Sequence, residues 1–137
     1  MRSRFVLDLK EAEAAVAAGH AEAASNQWPV TVAVVDASGA VILLSRMDDA
    51  SSASVSTAIE KARTAALVGI PTKLIEAMIK DRPGLLSMDR VAVEGGVPIL
   101  FHGQKLGGIG VSGVQSHQDA LVAEAALAAL QPMLKAD

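Results

Sequence analysis

Two apolar segments constrain this chain more than anything else in it. "VTVAVVDASGAVILLSRM" (30–47) and "VPILFHGQKLGGIGVSG" (97–113) are each long enough for two strands and are broken once by turn residues, Asp-Ala-Ser-Gly in the first and His102-Gly103 in the second. The β-branched runs predict strands over Val30 to Val35 and Val41 to Arg46, with Gly39 supplying the positive φ of the turn. Because the strands are apolar on nearly every residue, both faces of the resulting sheet must be covered. Pro98 cannot donate to a ladder, so it belongs at a strand start or on an edge.

Helical patterns supply the cover. Asp8 and Glu11 have capping-box spacing ahead of a helix to about Ser25, in which Leu9, Ala12, Val16, His20 and Ala23 share a face. A second helix runs from Ser52 to Val68 with the stripe Val55, Ile59, Ala62, Ala66, leaving Thr57, Lys61 and Thr64 on the opposite, polar face; Gly69 and Pro71 end it. Thr72 opens a short third helix to about Ile79, and Ser116 with Asp119 caps a last one to about Leu130. The last helix is apolar almost all round, which implies cover on all sides and points to a second subunit. The order helix, hairpin, two helices, hairpin, helix predicts one α+β domain over residues 1–137, with an antiparallel sheet flanked by helices.

The glycines of "GGIGVSG" match the G-x-G-x-x-G spacing of dinucleotide enzymes at Gly108, Gly110 and Gly113. Here they fall inside the last strand, followed by one helix and no further strand, so the βαβ context is missing and a Rossmann reading fails. They serve close packing or a bend instead.

Composition excludes several functions. With 12 Lys and Arg against 15 Asp and Glu, net charge −3, there is no basic footprint for nucleic acid. The absence of cysteine rules out disulfides, thiolate nucleophiles and zinc–thiolate or iron–sulfur sites. The N-terminus lacks the apolar core of a secretory signal and no run is long enough to span a bilayer, so a cytoplasmic protein bound to no membrane is expected.

Taken together, "VTVAVVDASG", "RMDDAS", "KARTAALVGIPT", "VEGGVPI" and "GGIGVSG" before a capped helix, in this order across nearly the whole chain, resemble the GlcG/HbpS-like haem-binding proteins, a family that includes the PduO C-terminal domain. The resemblance implies a profilin-like or PAS-like layout, a sheet of about five antiparallel strands, and homo-oligomers from dimer to octamer. It implies haem as cofactor; the members' links to organic-acid and aromatic metabolism leave an enzyme on a small organic acid, or an accessory subunit, as alternatives. The chain departs from the family at "GVQSHQD", where His117 stands at a position often acidic.

The candidate site follows from these elements: a pocket bounded by the Glu94-Gly95-Gly96 turn, the glycine strand, the start of the last helix and the polar face of the second. His117, beside free helix N-terminal amides, could be an acid/base, a haem or metal ligand, or a plain first-turn residue. Glu94 is the other candidate acid/base, with Gly95, Gly96 and Gly110 giving close approach to a ligand. Arg46 either pairs with Asp48 or holds a carboxylate; Lys61, Thr64 and Asp119 complete the ligand-binding set. His20 and His117 are the axial candidates for haem in a chain without Cys or Tyr, and the three histidines have no zinc-site spacing, so no metal site of protein ligands alone is expected. Arg82 and Arg90 are further cations able to meet a carboxylate or propionate.

Overall fold

The computed structural model describes residues 1–136. Its elements are α1 (Leu9–Ser25), β1 (Thr31–Asp36), β2 (Val41–Arg46), α2 (Ala53–Val68), α3 (Thr72–Asp81), β3 (Gly96–Phe101), β4 (Gln104–Ser112) and α4 (Ser116–Leu130), with 3-10 turns at Pro83–Ser87 and Gln131–Met133. The sheet is antiparallel throughout, in the order β2-β1-β4-β3.

Alternation along the strands sorts the core into two layers. Val32, Val34, Val97, Ile99, Ile109 and Val111 face one way and pack with Ala12, Val16, Val122 and Ala126 of α1 and α4. Ala33 and Val35 face the other way, onto Ala58, Ala62 and Ala66 of α2. In β4 the residues on this second face are Gly108 and Gly110. A Cβ on Gly110 would overlap the Ala58 carbonyl, one on Gly108 the Ala62 carbonyl, and one on Gly96 the Lys61 carbonyl. The backbone of α2 therefore lies directly on the backbone of β3 and β4, with no side-chain layer between them.

The local turn signals act as the sequence suggests. Gly39 has φ 89° and Gly69 φ 84°. Asp36 closes the first hairpin by accepting from the Ser38 N–H, the Ser38 hydroxyl and the Ala40 N–H at 2.7–3.0 Å; these bonds, the Ser38 hydroxyl first, hold its carboxyl below the ordinary value. Pro98 lies in the edge strand β3.

Three expectations are corrected. The sheet has four strands rather than five: residues 82–95 form a 3-10 turn and irregular chain, and the N-terminal segment, though it runs beside the second hairpin, adds no strand because Gln104 takes both the N–H and the C=O of Phe5 through its side-chain amide (3.2 and 2.9 Å). The cap of α4 is Gln115, one residue before the predicted Ser116, with Gln118 rather than Asp119 accepting from the cap N–H (3.2 Å). The buried face of α2 is also rotated from the predicted stripe: Val55 and Ile59 are half-exposed, whereas Ser54, Ala58, Lys61, Ala62, Thr64, Ala65 and Ala66 are buried. Apart from Lys61, the side chains chosen for burial are the small ones that the glycine strand admits.

The glycine seam gives a paired test. Gly110→Ala places a methyl inside the α2 backbone and should lower stability by about 3 kcal/mol in urea unfolding, at the upper end of overpacking costs. Gly84→Ala, where an added Cβ meets nothing within 4 Å, should stay within about 0.5 kcal/mol of the parent.

Candidate functional site

Two neighbouring clusters lie along the flank of α2 that looks past β3. The first is a buried ion pair. Lys61, only 2% exposed because its own carbonyl is pressed onto Gly96, sends its Nζ along β4 to donate to Asp119 Oδ2 (3.0 Å) and to the Val111 carbonyl (3.0 Å). Asp119, also 2% exposed, accepts from the Val114 N–H through Oδ1 (3.2 Å), holding the turn between β4 and α4. Burial pushes the Asp119 carboxyl above the ordinary value; the Lys61 ammonium opposes the rise and the negative Glu94 adds to it. Gly95, at φ 130°, closes over the pair: a Cβ there would stand 2.8 Å from Lys61 Nζ. Every buried side-chain nitrogen and oxygen among the described residues has a partner.

The chain leading to this pair is also held from α3. The Thr72 hydroxyl accepts from the Gly96 N–H (2.9 Å), and Glu76 Oε2 accepts from the Glu94 N–H (3.0 Å). Thr72 and Glu76 lie one helical turn apart and clamp residues 18 to 24 positions away. Neither was a site candidate, and no sequence signal marks them, because the docking of α3 alone brings them there.

The second cluster is a cavity of about 130 Å³ between α2, α3 and residues 85–92. It is lined by Thr64 and Val68 of α2, Ile75 and Met78 of α3, and Met88 and Arg90 of the chain that follows. Thr64 is buried, and its hydroxyl is satisfied by the Glu60 carbonyl (3.0 Å).

The structure thus brings Lys61, Glu94, Gly95, Gly96 and Asp119 together at one end of the sheet, with Gly110 beside them on β4, while Thr64 lines the neighbouring cavity. Lys61 and Thr64 are not on a solvated face, which corrects their expected placement. His117 is in the first turn of α4, two residues from Asp119, and is exposed. Arg46 lies at the same end of the sheet but two strands from β4, about 10 Å away at ordinary strand spacing; its Nε donates to the Ala50 carbonyl (2.9 Å) and it forms no ion pair with Asp48. His20 is on α1, half-buried, with Nε2 3.4 Å from the Ser45 carbonyl. His102 is at the hairpin tip, exposed and edge-on to Phe101. Among the described residues no cluster of three or more His, Asp or Glu could hold a metal ion, and no helix is long and apolar enough to cross a membrane.

Comparison with known proteins gives one consistent result. The family model described as haem-degrading protein HbpS-like matches residues 7–128. Protein GlcG of Escherichia coli (strain K12) is 42% identical over 114 residues, 82% of this chain and 85% of GlcG. Among solved structures, a double mutant of Streptomyces reticuli HbpS superposes with a TM-score of 0.88 at 31% identity, over 93% of this chain and 89% of that one. The PduO C-terminal domain in complex with haem superposes at 0.83 and 30% identity, over 91% and 95%.

The ion pair makes a prediction of its own. Lys61→Met leaves the Asp119 carboxylate buried without its counter-charge and should cost about 3–5 kcal/mol in urea unfolding. Adding Asp119→Asn, which removes that charge while keeping an acceptor for Val114, should recover part of the loss.

Proposed function

The chain belongs to the HbpS-like family, and from that premise we propose that it is a cytoplasmic, homo-oligomeric small-ligand-binding protein that binds haem through a histidine at its surface. The observation that carries this is the state of His20. Its ring is half-buried between α1 and β2, and its one hydrogen bond is a long one, to Ser45. A side chain so placed keeps a ring nitrogen that is barely engaged, which suits an axial ligand. The haem complex of the PduO C-terminal domain, alike over nine-tenths of this chain, supports the same reading.

The donor set fits haem in a restricted way. Without Cys or Tyr, the axial choices are His, Met and Lys. The cavity beside α3 is too small for a porphyrin and no histidine lines it, so haem belongs on the outer surface or between copies of the chain. His20 is the first ligand in this reading; His117, more exposed, is the second. Bound haem would supply the iron chemistry, and this chain would supply an imidazole and apolar cover.

Titration of the purified protein with haemin should shift the Soret band and saturate, and His20→Ala should abolish the shift while His117→Ala retains it. An unsaturable change, or full binding by the His20→Ala/His117→Ala double variant, would overturn the reading. The oligomer has separate support in α4, whose outward Leu121 is 47% exposed on an otherwise alanine-rich face. Light scattering after size exclusion should give a mass of two or more chains.

A further inference from the structure

We propose that the cavity between α2, α3 and residues 85–92 is a second ligand site, which takes a small carboxylate with an apolar body the size of one ring. The proposal does not rest on the haem reading. It rests on the size, lining and charge of a cavity that haem cannot enter.

Size comes first. An enclosed apolar cavity of roughly 150 Å³ accommodates one benzene molecule, and this cavity, which is open to solvent and has Met78 and Met88 of its lining exposed, measures about 130 Å³. The body of the ligand is therefore a single ring or a branched chain of similar bulk. Lining comes second. Val68, Ile75, Met78 and Leu85 offer only carbon and sulfur, and the one hydroxyl, that of Thr64, is already spent on the Glu60 carbonyl. Nothing inside the cavity is left to hydrogen-bond a polar guest, so an apolar body is preferred over water or a sugar. The two thioethers, Met78 and Met88, adapt their shape and make favourable contacts with aromatic edges.

Charge comes third. Arg90 is an exposed residue of the lining, and its guanidinium makes neither an ion pair nor a hydrogen bond among the described residues. Arg63 and Lys73, by contrast, are each paired with a glutamate. A guanidinium at the rim of an apolar cavity recognises a carboxylate through two parallel N–H donors. The ligand class that meets all three conditions is a monocarboxylate of the benzoate type, apolar end inward and carboxylate outward.

The site is also set apart from the buried ion pair. Glu94, two residues beyond Ala92 in the cavity wall, has its backbone fixed by Glu76 of α3. The wall that carries Arg90 is thus anchored at its far end while residues 82–90 remain exposed, except for Leu85.

The test uses benzoate as the probe, with benzyl alcohol as a neutral analogue and benzylamine as a cationic one, followed by methionine-methyl NMR of the full-length protein. Benzoate should give saturable shifts at Met78 and Met88. Benzyl alcohol should bind at least tenfold more weakly and benzylamine not at all. Arg90→Gln, an exposed change, should weaken benzoate about tenfold and leave benzyl alcohol unaffected; Ala92→Phe should fill the cavity and abolish both. Neither variant should alter the haemin titration, so failure of this proposal and failure of the haem reading are distinguishable. Equal binding of benzoate and benzyl alcohol, retention of benzoate by Arg90→Gln, or the absence of saturable methyl shifts would each overturn it. Shifts that follow protein concentration in place of benzoate would overturn it as well, by assigning the patch to a contact between copies.

Discussion

Direct contact between the α2 backbone and the glycines of β3 and β4 is the constraint on which the rest of this molecule depends. Removing Cβ at Gly96, Gly108 and Gly110 lets a helix sink onto the sheet until peptide groups meet. The stability of such a contact comes from dense packing of many small groups rather than from large apolar side chains. That explains how a chain with two Phe, one Trp and no Tyr has a well-filled core. It also explains why the face of α2 turned to the sheet is nearly all alanine.

The chemistry of the site follows from that seam. A helix held so close has its flanking residues drawn inward, so Lys61 and Thr64 are buried although their side chains are polar. Lys61 is long enough to travel under Gly95 and find a carboxylate on α4, a helix of the opposite layer. One ion pair therefore fastens α2, β4 and α4 at a single end of the sheet. Further along the same flank, where the sheet ends and α3 turns away, the side chains of α2 no longer have glycine to lie on, and the space beside Thr64 and Val68 becomes the cavity.

Much of the fold was legible in the sequence because its signals are local. The strands Val41–Arg46 and the two hairpins, the glycine stops at Gly39 and Gly69, and the Asp8–Glu11 start of α1 all depend on neighbours a few residues away. The convergence of Lys61, Glu94, Gly95 and Asp119 followed from element order and from the resemblance to a family. The burial of Lys61 was not legible: hydropathy favours Val55 and Ile59 as the inward stripe, but contact with a glycine surface selects for small volume, and Ala58, Ala62 and Ala66 win. The clamp by Thr72 and Glu76, and the gathering of Met78, Met88 and Arg90 round one cavity, depend on where α3 docks, which no local pattern encodes.

The two margins of the sheet are finished differently. On β3 the outward-pointing residues are Gly96, whose N–H is taken by Thr72, Pro98, which has none to offer, and Leu100, whose carbonyl accepts from Gln131 (3.4 Å). On β2, residues 41–46 have backbone partners only in β1 among the described residues. A sheet sealed along one margin can be extended along the other alone. Two such chains meeting margin to margin would form a continuous eight-stranded sheet with both ends sealed. Pairing of that kind would end at two chains, because the Thr72 contact and Pro98 interrupt each β3 margin.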